Sequence, residues 1–314
     1  MYDVIVVGGG PTGCTAGLYA RTRDLHTLIL EAKEFGGQLK TLYPTKSVYD
    51  YPSYIAIEAE DFGRLFVNHA REAGCEMKYG EEVVEIARRK RDFLVTTTNH
   101  AEYEGRVIIL ALGWGLFTPK LLNVPGEAEL DGHGVYYLIP DRRLFRGKRV
   151  VIVGGGDSAL ESALQLMSTA SKVTVIHRRD VFRAMEKNVD AVKRSPIELK
   201  LNCEVTEIQG NGVVESAVVY NNQTLERTVV KADAVIVQVG FLTNIDHIRK
   251  WGVQLEDDRH IRVHADMSTT EPGIFACGDV VSYPNKDKRI VTGAGEAVTA
   301  VMSAYKLLRS PYWA

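Results

Sequence analysis

Apolar runs of four to seven residues recur along the chain in two similar groups. They are rich in valine and isoleucine, which is typical of strands buried on both faces of a parallel sheet. The first group comprises residues 4–7, 27–30 and 107–111, and the second comprises 150–153, 173–176 and 234–240. A helix is expected over 59–73, where Phe62, Leu65, Phe66 and His69 recur at helical spacing. The pattern predicts one strand–helix–strand plan used twice, with a shorter insert in the second copy.

A glycine-rich turn follows the first run of each group and leads into a predicted helix. The first turn contains Gly8, Gly10, Pro11, Thr12 and Gly13, and the second contains Gly154, Gly156, Asp157 and Ser158. Glycines here let the backbone approach a pyrophosphate, and the helix N-terminus offers free N–H groups and a partial positive charge. Two such turns in one context predict two dinucleotide sites.

The residue after the second strand of each group distinguishes the two sites. Glu31 follows Gly10 by 21 residues, and an acid there accepts hydrogen bonds from ribose hydroxyls and repels a 2′-phosphate. His177 follows Gly156 by 21 residues. The basic cluster that continues from it consists of Arg178, Arg179 and Arg183. Because guanidinium groups suit a phosphate dianion, we expect a plain adenosine ribose, as in FAD or NAD, at the first site and NADP at the second. The alternatives are an ordinary strand–helix turn and a solvated basic strand end.

A chain of 314 residues is long for a single core, so two domains are expected. The turns and linkers place one domain over 1–114, a second over 115–242, and the completion of the first over 243–314. The second domain is therefore predicted to be inserted into the first, with two linkers that form a hinge.

Composition narrows the function classes. The formal net charge of −2 gives no argument for nucleic-acid or membrane binding, and no apolar run reaches the length of a membrane span. A cytoplasmic location is the default expectation. The four cysteines have no C-x-x-C or metal-ligand spacing, so they are expected to be reduced, buried thiols, and no metal site is predicted.

Two acids near the C-terminus are candidates for flavin contacts. Asp279 follows a short apolar run and could accept hydrogen bonds from ribityl hydroxyls, or be an ordinary turn aspartate. Glu296 and Ala297 are predicted to open a final helix, from about 295 to 308, whose N-terminus would stabilise negative charge on a reduced flavin. The alternative for Glu296 is a first-turn acid favoured by the helix dipole.

The chain resembles the low-molecular-weight thioredoxin reductase family along nearly its whole length. The motifs that carry the resemblance are GGGPTG, GGQL with Gly37, Gln38 and Leu39, GGGDSA, HRRDVFRA and PGIFACGD, in that order. The resemblance implies an α/β fold of two Rossmann-like three-layer nucleotide-binding domains, with the NADPH domain inserted into the FAD domain. The family's redox-active C-x-x-C is missing, because its positions fall on Tyr137 and Pro140. Without a dithiol, flavin electrons cannot pass to a protein disulfide.

One branch of that family, the thioredoxin-reductase-type ferredoxin–NADP reductases, is resembled more closely. The segment 36–50, GGQLKTLYPTKSVYD, carries this resemblance. It implies the cofactors FAD and NADPH, ferredoxin as electron partner, a homodimer, and hydride transfer to flavin N5 after domain rotation. The residues implied to contact FAD are Glu31, Gln38, Tyr43, Val84, Phe117 and Asp279, with the Tyr43 ring stacked on the flavin. The cofactors carry the chemistry, so no catalytic side chain is predicted.

Two departures from this branch keep other functions open. The branch carries a C-terminal segment over the second flavin face that has no counterpart after Ser310, and Trp114 replaces a smaller residue beside the flavin. Tyr312 or Trp313 is an alternative shield. The alternative functions are an NAD(P)H oxidase or diaphorase, and a non-catalytic flavoprotein that senses the nicotinamide pool.

Overall fold

The structure is a computed structural model that describes residues 1–113, 117–139, 141–243, 246–256 and 259–310, with the backbone alone at 117–118, 241–243 and 246. Trp114, Pro140, Tyr312 and Trp313, which the sequence analysis singled out, lie outside these ranges.

The N-terminal part alternates strands and helices. Its elements are β1 (Tyr2–Val7), α1 (Pro11–Thr22), β2 (Thr27–Glu31), α2 (Gln38–Thr41), β3 (Ser47–Val48), β4 (Ile57–Glu58), α3 (Ala59–Glu72), β5 (Glu76–Tyr79), β6 (Val83–Arg89), β7 (Asp92–Thr97), β8 (Glu102–Leu110) and β9 (Phe117–Pro119).

The middle part repeats this alternation and adds an antiparallel sheet. Its elements are β10 (Val135–Tyr136), a 3₁₀ turn (Arg142–Phe145), β11 (Arg149–Val153), α4 (Asp157–Leu166), β12 (Lys172–His177), α5 (Glu186–Lys193), β13 (Glu198–Leu201), β14 (Cys203–Gly210), β15 (Val214–Asn221), β16 (Arg227–Lys231), β17 (Ala234–Val237) and β18 (Phe241–Thr243).

The C-terminal part ends in the longest helix of the described chain. Its elements are α6 (Asp246–Lys250), β19 (Ile261–Arg262), β20 (Ile274–Ala276), β21 (Val281–Ser282) and α7 (Ile290–Arg309). Among the described residues, no helix has the length and apolar character to cross a membrane.

Contacts divide the chain into two compact units. Unit 1 consists of Met1–Phe117 with Thr243–Ala314, and unit 2 is Thr118–Leu242. The chain passes between the units at β9 and β18, and these two strands pair with each other.

Unit 1 is built on a sheet with the order β5-β2-β1-β8-β7-β6, in which β20 also pairs with β8. The strands β2, β1, β8 and β20 are parallel, with Val7 opposite both Leu30 and Leu110, and Leu110 opposite Ala276. Alternate residues of β1 face opposite cores. Val4 and Val6 pack with residues of α1, α3 and α7, whereas Ile5 and Val7 pack with residues of β6 and β7. The continuous apolar runs follow from this burial on both faces.

Unit 2 has a five-stranded parallel sheet with the order β10-β17-β11-β12-β13. Val150 and Ile152 face a core completed by α4 and α5, whereas Val151 and Val153 face the antiparallel sheet β14-β15-β16. The structure thus contains the two α/β modules that the sequence predicts.

Two details differ from the sequence expectation. The second copy of the plan also contains the three-stranded antiparallel sheet β14–β16, which the sequence expectation does not include. The final helix begins at Ile290, not near 295. Gly293 lies against Thr12 of α1, where a Cβ would be 2.5 Å from the Thr12 hydroxyl oxygen, so close helix packing extends α7 through glycines that disfavour helix locally.

Candidate cofactor sites

The carboxyl ends of four parallel strands in unit 1 form one edge, and the predicted site residues follow them. Gly8 comes after β1, Glu31 ends β2, and Asp279 comes soon after β20. The register places these ends side by side, with Val7, Leu30 and Leu110 in line. Ligands of open α/β sheets bind at this edge.

Three of the four glycines of the first turn have different structural roles. Gly8 has φ +110°, and a Cβ on it would lie 2.3 Å from the Ala111 carbonyl oxygen. A Cβ on Gly13 would lie 1.8 Å from the Gly8 carbonyl oxygen, so this glycine lets α1 approach β1. A Cβ on Gly10 would meet nothing nearer than Gly37 Cα at 3.7 Å, so its outer face is open. Gly10 is the N-cap of α1, with Pro11 next and no side-chain cap. The first N–H groups of α1 are therefore available to an anion.

Glu31 is connected directly to this turn. One carboxylate oxygen accepts a hydrogen bond from the Gly9 backbone N–H at 2.7 Å, and the other accepts from the Lys33 N–H at 2.9 Å. Burial raises the pKa of Glu31, and the backbone donors Lys33 and Gly9 partly oppose the rise. The carboxylate is thus held beside the glycine turn, at the position that accepts ribose hydroxyls in dinucleotide folds.

The segment that begins at Gly36 packs onto the same turn. The Gly36 N–H donates to the Gly9 carbonyl at 3.0 Å, and a Cβ on Gly37 would lie 2.8 Å from Gly10 Cα. Gly37 also has φ +58°, so the backbone of this segment approaches Gly10 at a position where residue 37 cannot carry a side chain.

Tyr43 and Gln38 extend this segment toward Asp279. The Tyr43 hydroxyl donates to Gln38 Oε1 at 3.3 Å. Burial raises the pKa of Tyr43 to about 12, and the negative charges of Asp279 and Asp50 add to the rise. Tyr43 therefore lies close enough to Asp279 to feel its charge. The glycine turn, segment 36–43 and the loop carrying Asp279 therefore meet in one region of unit 1.

Several predicted contacts have mainly packing roles in the structure. Leu39 is 2% exposed and packs with Val48, Ala59 and Phe62. Ala297 is fully buried against α1 and β20 residues. Phe117 lies in β9, and its side chain is outside the described part.

Glu296 does not open the last helix, which corrects the sequence expectation. It is the seventh residue of α7 and is 6% exposed. Its carboxylate accepts hydrogen bonds from the Gly278 N–H at 2.7 Å, from the Tyr283 hydroxyl at 2.5 Å and from Lys286 Nζ. With the earlier helix start, the Glu296 side chain lies in the interior. Its buried carboxylate thus fixes the backbone next to Asp279.

A cleft next to Glu31 is lined by residues that sequence reasoning missed. Ala32, Val83, His247, Ile248 and Trp251 are among them. Val83 lines this cleft, whereas the carbonyl of the predicted contact Val84 accepts a hydrogen bond from the Trp251 indole at 3.3 Å. The sequence around 247–251 gives no local indication of a site. These residues line the cleft only because the chain returns to unit 1 after unit 2.

The second glycine turn repeats the first in unit 2. Gly154 has φ +155°, and a Cβ on it would lie 2.3 Å from the Gln238 carbonyl oxygen. A Cβ on Gly156 would meet only the Arg183 carbonyl oxygen, at 3.8 Å. Gly156 is the N-cap of α4 and has no side-chain cap. This turn likewise offers an open glycine and free helix N–H groups.

Two predicted nucleotide contacts hold the loop after β12, and one of them, His177, also lines the cleft of unit 2. Asp157 Oδ1 accepts from the Met185 N–H at 2.9 Å and from Asn188 Nδ2 at 2.8 Å. The His177 ring stacks on Phe182, with 5.4 Å between centroids, and lies 3.1 Å from the Val181 carbonyl oxygen through Nε2. Burial lowers the pKa of His177, and Arg179 and Arg178 add to this.

The three predicted arginines face one cleft of about 490 Å³ in unit 2. Arg178, Arg179 and Arg183 are exposed and line it together with Ser158 and the glycine turn. The Arg183 N–H donates to the Gly155 carbonyl at 2.7 Å, which ties this arginine to the turn. Guanidinium groups concentrated at one end of a nucleotide cleft suit a ribose 2′-phosphate.

The residues present fit FAD in unit 1 and NADPH in unit 2. In unit 1, an open glycine, uncapped helix N–H groups and a ribose-type acid lie at one sheet edge. In unit 2, the acid is replaced by the arginine-lined cleft. The two sites therefore differ at the position next to the adenosine ribose. An acid suits a ribose with a free 2′-hydroxyl, and arginines suit a ribose with a 2′-phosphate.

The profile of the pyridine nucleotide-disulphide oxidoreductase family matches residues 2–304. The chain belongs to this family. It is 39% identical over 307 residues to a ferredoxin–NADP reductase of Thermus thermophilus, covering 96% of this chain and 91% of that one. It is 38% identical over 312 residues to a ferredoxin–NADP reductase of Sulfurisphaera tokodaii, covering 98% and 93%. A thioredoxin reductase structure from Lactococcus lactis matches with a TM-score of 0.84 at 30% identity, covering 99% of this chain and 100% of that one.

As a member of this family, the chain is a flavoprotein oxidoreductase whose cofactors are FAD and NADPH. The resemblance to thioredoxin reductases predicts that one of their redox cysteines corresponds to Tyr137. In the structure the Tyr137 hydroxyl donates to the buried Glu127 at 3.3 Å. The four cysteines are Cys14, Cys75, Cys203 and Cys277, and all are buried and free. Burial raises the pKa of Cys14 to about 12, so this thiol is not a nucleophile at neutral pH.

Proposed function

We propose that this enzyme transfers electrons between NADPH and ferredoxin. The observation that carries the proposal is the similarity to ferredoxin–NADP reductases over 96–98% of the chain. Tyr137 supports it, because a hydrogen-bonded phenol stands where disulfide reductases need a cysteine. Electrons must therefore leave the flavin for an acceptor outside the protein.

Unit 1 would hold FAD through the glycine turn, Glu31 and the region of Gln38, Tyr43 and Asp279. When bound, FAD supplies the exchange between a hydride donor and an acceptor of single electrons. The chain itself binds and orients. Glu31 would accept hydrogen bonds from ribose hydroxyls, and the N–H groups of α1 would bind the pyrophosphate. The Glu296 carboxylate holds the Gly278 backbone in place next to Asp279.

Unit 2 would hold NADPH, with Arg178, Arg179 and Arg183 at the 2′-phosphate and the N–H groups of α4 at the pyrophosphate. The two units are joined by two chain passages only, at Phe117/Thr118 and Leu242/Thr243. This connection supports the hinge rotation that the family resemblance implies. A homodimer rests on the same resemblance, and sedimentation analysis of the purified enzyme tests it.

The acceptor is tested by two rates measured side by side on one preparation. With NADPH as donor, the proposal expects ferredoxin reduction to exceed oxygen consumption many-fold. A rate of oxygen consumption that is unaffected by ferredoxin would identify an oxidase instead. Tight NADPH binding with negligible turnover toward either acceptor would favour a nicotinamide sensor.

A further inference from the structure

One buried side-chain oxygen in the NADPH cleft has no hydrogen-bond partner among the described residues. Gln238 Oε1 is shielded from solvent and makes no hydrogen bond to any residue that the structure describes. Gln238 lines the same cleft as the glycine turn and the three arginines. Since buried polar groups are normally hydrogen-bonded, an acceptor left over inside a ligand cleft indicates a ligand donor.

The Gln238 backbone is held in place. Its N–H donates to the Val153 carbonyl at 2.7 Å, and its carbonyl oxygen lies against Gly154. Gln238 follows β17, which pairs with β11 on the side opposite β12. The glycine turn after β11 therefore lies between Gln238 on one side and Arg178 on the other.

The strand order β17-β11-β12 assigns the two halves of the dinucleotide to opposite sides of the glycine turn. The pyrophosphate lies over the glycine turn and the helix N-terminus. The 2′-phosphate belongs with the arginines that follow β12. The other half must then extend toward the carboxyl end of β17, where Gln238 is.

On the basis of the NADPH site proposed for unit 2, we propose that Gln238 Oε1 accepts a hydrogen bond from the nicotinamide half of NADP(H), from a ribose hydroxyl or the carboxamide N–H. In this role Gln238 is a binding residue for the nicotinamide end. It complements the arginines, which recognise the adenosine end.

The test uses Gln238→Met, which keeps the side-chain length and removes the acceptor. Calorimetry on the intact FAD-loaded enzyme compares NADP⁺ with 2′,5′-ADP, which has the adenosine half alone. We expect the Kd of NADP⁺ to rise about 3- to 10-fold, the effect of one net hydrogen bond. The Kd of 2′,5′-ADP should stay within about twofold. In the control Arg178→Met, both ligands should bind more weakly.

Thermal unfolding without nucleotide separates a binding role from a structural one. Because Gln238→Met removes a buried acceptor that has no protein partner, its Tm should equal or exceed that of the wild type. Gln238→Leu serves as a second variant if the first does not fold. The 3-acetylpyridine analogue of NADP⁺, which lacks the amide N–H, identifies the donor. If the Gln238→Met loss persists with the analogue, the donor is a ribose hydroxyl, and if it disappears, the donor is the carboxamide.

Two results would overturn the proposal. The first is unchanged NADP⁺ affinity in Gln238→Met, which would mean that this oxygen accepts no hydrogen bond from the dinucleotide. The second is an equal loss of affinity for NADP⁺ and 2′,5′-ADP, which would place Gln238 at the adenosine end or make it structural.

Discussion

The carboxylate of Glu296 accepts a hydrogen bond of 2.7 Å from the backbone N–H of Gly278, the residue before Asp279. Lys286 balances the charge of this carboxylate, and the two side chains are only 4% and 5% exposed. Burial, then the hydrogen bond to Glu296, raise the pKa of Tyr283 to about 12, so its hydroxyl keeps the proton that it donates. The last helix thus fixes the loop that carries a candidate flavin ligand.

Replacing Lys286 should expose how much this loop depends on the buried ion pair. Lys286→Met leaves the Glu296 carboxylate buried without its counter-charge, which typically costs about 3–5 kcal/mol of unfolding free energy. The measurement is urea unfolding of the FAD-loaded enzyme, followed by flavin fluorescence to detect FAD release.

The matched control is the same substitution in an exposed pair. Lys172 Nζ lies 2.7 Å from Glu198 Oε2, with exposures of 57% and 36%. Lys172→Met should change the unfolding free energy by less than about 1 kcal/mol. Equal losses of unfolding free energy in the two variants would contradict a stabilising role of the buried pair between Lys286 and Glu296.

Gly37→Ala should release FAD. The new Cβ would lie 2.8 Å from Gly10 Cα and force apart two backbones of the proposed flavin cradle. Gly80→Ala is the control, because Gly80 has φ +72° with nothing within 4 Å of a Cβ. Both variants incur a backbone cost of about 1 kcal/mol at positive φ. After gel filtration, the ratio of flavin to protein should fall at least about tenfold in Gly37→Ala alone, and retention of FAD there would count against the cradle.

FAD affinity should depend on pH through Glu31. In the proposed site its ionised form would accept hydrogen bonds from ribose hydroxyls, and burial raises its pKa, so protonation begins at a higher pH than for an ordinary glutamate. A ligand that prefers the ionised form binds best above this raised pKa and loses affinity as the pH falls through it. Fluorescence titration of the apoprotein with FAD from pH 7 to about pH 5 should show the dissociation constant rising.

Glu31→Gln provides the comparison for this titration. The variant should bind FAD more weakly at pH 7 and with a flatter pH profile, since no charge at this position titrates. A variant whose profile is as steep as that of the wild type would assign the pH dependence to another group.

The double variant Arg178→Ala/Arg179→Ala tests the choice of NADPH over NADH. Each arginine–phosphate contact contributes about 1.5–3 kcal/mol, so the KM for NADPH should rise at least about 100-fold. The KM for NADH, which has no 2′-phosphate, should change little. Arg227→Ala, on the exposed strand β16, is the control. Equal losses for both nucleotides would show that the cluster does not bind the phosphate.

The sequence predicts the parts of this enzyme that have a local signal. Buried parallel strands read as continuous apolar runs, and each glycine turn follows such a run, so β1, β11 and both sheet edges could be inferred. The antiparallel sheet β14–β16 also has a local sequence signal, at the turn between its first two strands. Asn211-Gly212 stands between two alternating runs and is typical of a hairpin turn.

The remaining features depend on contacts between distant segments. Helix α7 begins before its glycines because Gly293 packs on Thr12, and this tertiary contact outweighs the local preference. The burial of Glu296 follows from that start. The unpartnered oxygen of Gln238 is a property of the folded cleft and leaves no trace in the surrounding sequence.

The most direct test of the whole account is a visible spectrum recorded anaerobically in two steps. NADPH is added to the purified enzyme first, and oxidised ferredoxin is added afterwards. The account predicts that the flavin bands bleach with NADPH and return with ferredoxin. A spectrum without flavin bands, or a bleached flavin that ferredoxin leaves reduced, would contradict it.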